Sequence, residues 1–104
     1  MSLYACNLFQ RGKLLDDNCV FGYDEPMQTF FFRSGKENKD GAPIIWLGKD
    51  FYEYKLFTEL LLKLQKHDFA LQIYENELHQ LKQEIASPDL EKAMKLLMLV
   101  EYES

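Results

Sequence analysis

Apolar residues recur every seven positions through the second half of the chain, at Phe57, Leu64, Leu71, Leu78 and Ile85. A second column three residues on holds Leu60, Tyr74 and Leu81 and is interrupted only by His67. On a helix the two columns make one continuous seam of the coiled-coil kind, which has to be buried. No Gly or Pro interrupts residues 49 to 87. The spacing therefore predicts a long amphipathic helix over about 50–86, with Asp50 as its N-cap and Glu59 and Lys63 paired one turn apart on its polar face. A helical hairpin breaking at His67-Asp68 is the alternative, and the unbroken phase across that point favours the single helix.

Ser87-Pro88-Asp89 is a helix-start pattern: a capping hydroxyl, a proline at the first helical position and an acid in the first turn. It predicts a C-terminal helix over about 88–102 that buries Leu90, Ala93, Met94, Leu97 and Val100. Leu96, Met98 and Leu99 widen that apolar face beyond one stripe.

The first half has a different period. Met27-Gln28-Thr29-Phe30-Phe31-Phe32-Arg33 places aromatics on both faces of an extended segment. A polar stretch, Ser34 to Gly41, separates it from Ile44-Ile45-Trp46-Leu47, which Gly48 closes. Together these predict a β-hairpin over about 27–47. Leu3 to Phe9 and Cys19-Val20-Phe21 read as two further short strands, with turn signals at Gly12, at Asp16-Asp17-Asn18 and at Tyr23-Asp24-Glu25-Pro26. Strands followed by helices point to an α+β fold. The expectation is a single domain of 104 residues, with a small antiparallel sheet of two to four strands in 1–48 and the helices in 49–104.

A helix of residues 50–86 would be about 55 Å long, more than the width of such a domain. Part of its seam would project, so a homodimer or small homo-oligomer is expected. The candidate interface is the seam itself, including His67, together with Leu97 and Val100 of the last helix.

Composition narrows the classes. Hydrophobic residues make up 47% and charged residues 28%, which argues for a packed core and against disorder. Net charge is −5, with an uneven distribution: nine acids balance nine Lys or Arg over residues 1–67, and eight acids face three Lys over 68–104. An acidic helical half repels phosphate backbones, which makes nucleic-acid binding unlikely unless Arg11, Lys13, Arg33, Lys36 and Lys39 share one face. The longest apolar run, Leu96 to Val100, is far shorter than the roughly 20 residues of a membrane span. With no basic start and apolar h-region, the expectation is a cytoplasmic protein with reduced thiols.

Candidate chemistry is sparse. Gly35-Lys36 lacks the rest of a phosphate loop and reads as a charged hairpin loop. Gly41 to Gly48 has no dinucleotide fingerprint. His67 and His79 would lie about 120° apart on one helix, so they share no ligand site there; His67 reads as a core or interface histidine and His79 as solvent-facing. Asp16-Asp17 and Asp24-Glu25 sit in predicted turns, where acids are solvated. Cys6 and Cys19 have no zinc spacing and no positioned base, and read as buried structural thiols. Trp46, Tyr52 and Tyr54 beside Lys49 read as core aromatics rather than a base-stacking surface.

No catalytic motif, cofactor site or metal site emerges. The functional expectation is a non-enzymatic interaction, regulatory or adaptor protein that acts as a homo-oligomer through its helical half. The alternative is a small enzyme or ligand-binding domain with a pocket between the aromatic sheet and the helices, lined by His67, Asp68 or a cysteine.

Overall fold

Arg11 and Gly12 both take left-handed backbone (φ 51° and 79°), the type I′ geometry whose twist matches paired strands. In the computed structural model, which describes residues 2–101, this two-residue turn joins β1 (Tyr4–Gln10) to the long β2 (Lys13–Asp24). β3 (Thr29–Arg33) pairs antiparallel with β2, and the two-residue β4 (Trp46–Leu47) pairs antiparallel with β3. Then come α1 (Phe57–Gln65), β5 (Phe69–Tyr74), α2 (Glu75–Glu84), the short α3 (Asp89–Ala93) with one 3₁₀ turn, and β6 (Met98–Val100). The strand order is β4-β3-β2-β1-β5-β6, and only β5 and β6 run parallel.

The helices cover one face of this sheet. Cys6 and Leu8, Cys19 and Phe21, Phe30 and Phe32, Leu71 and Ile73 alternate inward from the four central strands, and α1 lays Phe57, Leu60, Leu61 and Leu64 over them. Phe57 is the centre of an aromatic cluster, 5.7 Å from Phe21 and 5.4 Å from Phe30 between ring centroids. Leu78 and Leu81 of α2 and Leu90 and Ala93 of α3 complete the same core.

The α+β class stands, but the expected architecture does not. The sheet has six strands and is mixed, against two to four antiparallel ones, and the longest helix has 10 residues, against a helix over 50–86. Residues 50–56 form no helix, so Asp50 caps none. Glu59 turns back to accept the Leu56 N–H (3.1 Å) instead of pairing with Lys63. At Asp68 the backbone turns left-handed (φ 63°), ending α1 in a tight turn; Arg11 reaches across from the hairpin tip to bind the Asp68 carboxylate at 3.1 Å.

Beyond Asp68 the chain forms a strand, neither a continued helix nor a second helix capped by Asp68. Phe69, Leu71 and Ile73 face the core, and Ala70, Gln72 and Tyr74 face away. The seven-residue phase was a coincidence of position: Leu64 is inward on a helix, Leu71 inward on a strand and Leu78 inward on the next helix. The predicted C-terminal helix ends by Leu96, and Met98-Leu99-Val100 pairs with β5 instead; Tyr102, its expected end, lies outside the described residues.

The expected hairpin over 27–47 is present as β3 and β4, and the Gly12 turn forms. Asp16-Asp17-Asn18, expected as a turn, lies inside β2. The β1–β2 register slips there on both sides of Leu8, so the turn formers make a bulge rather than a chain reversal.

Gly12 and Gly48 both hold positive φ, but for different reasons. A Cβ on Gly12 meets nothing within 4 Å, whereas one on Gly48 would lie 2.1 Å from the Phe30 carbonyl oxygen and 2.7 Å from the Phe31 Cα. Gly12→Ala is expected to cost about 1 kcal/mol, the backbone penalty alone. Gly48→Ala must push β3 aside and is expected to cost at least about 3 kcal/mol. Urea denaturation of the two variants side by side checks the contrast.

Candidate functional site

The residues expected to form a helical seam lie on three different elements. Phe57, Leu60 and Leu64 are on α1, Leu71 is on β5, and Leu78 and Leu81 are on α2; all six are buried inside the single chain. Ile85, Tyr74 and Leu97 are half-buried, as is Val100 on β6, while His67 is exposed in the turn after α1. The chain itself covers the apolar seam, because β5 joins the sheet between β1 and β6 while α1 and α2 pack on the face toward which Leu71 and Ile73 point. None of these six side chains is offered to a partner on this surface.

Among the described residues no helix covers the other face of the sheet. The register sets Trp46, Arg33, Val20 and Ala5 in one row across β4, β3, β2 and β1. Tyr74 and Val100 carry the outward positions of β5 and β6. In the next row the Asn7 amide donates to the Gln72 side-chain oxygen at 2.8 Å, and Met98 is exposed beside Gln72. Phe31 also points outward, against Gly22, its partner on β2, but it is buried, and the Ser2 backbone lies over Gly22 on the same side. Around Phe31 a shallow cleft of about 70 Å³ is bordered by Leu3, Met27, Trp46 and the charged Asp24, Arg33 and Lys49.

The loop beside this face is pinned. The Tyr52 N–H donates to the Met27 carbonyl (2.9 Å), the Tyr54 N–H to the buried Thr29 hydroxyl (2.8 Å), and the Phe30 N–H to the Tyr54 carbonyl (2.9 Å). So held, the loop exposes Phe51 (65%) and Tyr52 (56%), and Tyr52 keeps a left-handed backbone (φ 57°) that an aromatic residue rarely adopts. Six of the nine exposed large hydrophobic side chains among the described residues fall between Ile44 and Leu62, so apolar exposure is concentrated in this stretch of the chain. Sequence reasoning placed Trp46 and Tyr52 in the core. A two-residue edge strand and a non-helical loop bring them to the surface instead, and only the short β4 and the missing helix at 50–56 reveal it.

A second cleft, about 330 Å³, lies between the β4 segment and the end of α1. A third, about 440 Å³, lies between α2 and the chain from Met94 to Leu99 and includes His79 and Lys82. The two histidines thus line separate clefts. Among the described residues no three His, Cys, Asp or Glu side chains converge as a metal site, and no helix is long and apolar enough to cross a membrane. Of the cations considered for nucleic acid, Arg11 and Lys13 flank the β1–β2 turn, Arg33 is on β3, and Lys36 and Lys39 are in the loop after it.

The two cysteines meet. Cys6 and Cys19 are direct partners on β1 and β2, both buried and both free thiols. The Cys19 thiol donates to the Asp16 carbonyl oxygen at 3.6 Å. Burial, reinforced by the neighbouring Cys19, pushes the Cys6 thiol well up; the hydrogen bond from Cys6 outweighs burial at Cys19 and, with the Gly35 N–H, brings Cys19 down.

Asp16 explains the bulge. Its buried carboxylate accepts N–H bonds from Asn18 (2.9 Å), Gly35 (2.9 Å) and Lys36 (2.8 Å), tying β2 to the loop after β3. Burial alone would raise its pKa, but these donors more than offset it, and the net shift is downward. A carboxyl with a depressed folded pKa stabilises the protein above its unfolded value of about 3.9, and that contribution disappears as pH falls through the folded pKa. Asp16→Asn is therefore expected to lose about 2 kcal/mol at pH 7. The gap to the parent chain should narrow as pH falls below the usual carboxylate range, measured by urea midpoints at each pH.

No protein family, curated protein or solved structure matches this chain.

Proposed function

We propose that the protein is a non-enzymatic interaction or adaptor protein that self-associates through the uncovered face of its sheet. The observation that carries this reading is the unlayered row of Trp46, Arg33, Val20 and Ala5, continued by Tyr74, Val100 and Met98. A sheet with one apolar face covered by helices and a second partly apolar face left bare gains by burying that face too. This moves the expected contact from the helical half, whose seam is used up inside the chain, to the opposite side of the molecule.

A second copy is the occupant that fits best. Six strands at about 4.8 Å spacing and about 20 Å of strand length present roughly 600 Å² of projected area per partner. A pair would bury about 1,200 Å², the lower bound for specific interfaces. Asp24 lies in the same patch as Arg33 and Lys49, so a twofold pairing can set the acid of one copy against a cation of the other. Trp and Arg, two of the types that dominate binding energy at interfaces, are present together as Trp46 and Arg33.

Light scattering behind size exclusion from about 1 µM to about 1 mM tests this. The expected mass at the upper end is twice the 12.3 kDa of one chain. Ala5 is exposed at the centre of the face, and Ala5→Arg should return the protein to monomer with an unchanged circular dichroism spectrum. A parent chain that stays monomeric throughout, or a dimer indifferent to Ala5→Arg, would overturn the reading.

A further inference from the structure

The cleft between β4 and α1 combines an apolar interior with a cationic mouth. Ile45, Leu47, Leu64 and Phe69 line it, Trp46 forms one side, and Lys63 and His67 stand at neighbouring turns on its rim. At about 330 Å³ it falls at the small end of ligand pockets. Among the described residues no acid lines it.

The acids that would neutralise the rim are engaged elsewhere. Glu59, the expected partner of Lys63, is bonded to the Leu56 N–H, and Asp68, next to His67, is paired with Arg11. Among the described residues Lys63 makes no ion pair. The α1 C-terminus carries a partial negative charge of about half of one unit, which the full charge of the Lys63 ammonium more than offsets. The larger cleft beside α2 lacks this character, since Lys82 is committed to Glu91 at 2.7 Å and Glu75 sits on its rim.

We propose that this cleft binds a small carboxylic acid with an aromatic or short aliphatic body. The body displaces water from Ile45, Leu47, Leu64 and Phe69 and lies against the Trp46 indole, while the carboxylate takes the Lys63 ammonium and a ring N–H of His67. The site shares only Trp46 with the bare sheet face, and Lys63, Leu64, His67 and Phe69 lie outside that face.

Trp46 is the only tryptophan in the chain, so it reports directly on the cleft. Octanoate and phenylacetate are expected to change its fluorescence saturably, with backbone amide shifts in heteronuclear NMR confined to residues 45–47 and 63–69. Octanamide and phenylacetamide, which keep the body and lose the charge, should bind at least about tenfold more weakly. Lys63→Glu, on the exposed side of α1, should lose the carboxylates by a similar factor and gain octylamine, and its circular dichroism spectrum should match that of the parent chain. Amides that bind as well as acids, an indifferent Lys63→Glu, or shifts scattered away from the cleft would overturn the proposal. The same titration on Ala5→Arg should be unchanged, which keeps this result independent of the dimer.

Discussion

The burial of Phe57 against Phe21 and Phe30 sets the arrangement on which the other features depend. Those two rings come from adjacent strands and face the same way, and Phe57 closes over both from the first turn of α1. A nine-residue helix has little stability of its own, so its position comes from this contact and from Leu60, Leu61 and Leu64 behind it. Once α1 lies there, its end approaches β5, and the space left toward the β4 segment becomes the cleft with Lys63 and His67 at its mouth.

Polar contacts distant in sequence hold this arrangement in register. Asp89, expected only as a first-turn acid of its own helix, reaches across to α1. Its buried carboxylate accepts the Thr58 N–H at 3.0 Å and the Thr58 hydroxyl at 2.5 Å, and so caps α1 from α3. Asp16 plays the matching part on the sheet side, binding the loop after β3. Both are carboxylates buried because they satisfy backbone donors that would otherwise lose water without replacement. Neither has open access to solvent.

Those surfaces differ in kind. The bare sheet face is broad and partly apolar and carries both signs of charge, properties suited to another flat surface. The cleft is narrow, with an apolar interior and the Lys63 ammonium and His67 ring on its rim, properties suited to a small anion. Trp46 borders both because β4 is a two-residue edge strand, too short to bury it on either side.

The class of fold, the β3–β4 hairpin and the Gly12 turn were legible because each is a local signal: aromatic alternation, flanking turn formers, and a residue free to take positive φ. The identity of the buried set was legible too, since Phe57, Leu60, Leu64, Leu71, Leu78 and Leu81 are all core. How they are buried was not. A period of seven is satisfied equally by a continuous helix and by a helix, a strand and a helix in succession, and Phe69 to Tyr74 carries its own period of two that the longer one masks. Only tertiary pairing separates them. β1 offers Cys6, Leu8 and Gln10 as partners to β5, and β5 in turn offers an edge to Met98-Leu99-Val100. Hydrogen bonds between segments so distant in sequence leave no trace in any local window. The aliphatic and Phe57 part of the core was thus settled by the sequence alone, while the exposure of Trp46, Tyr52 and His67, the open sheet face and the cleft with Lys63 at its mouth were decided by long-range pairing.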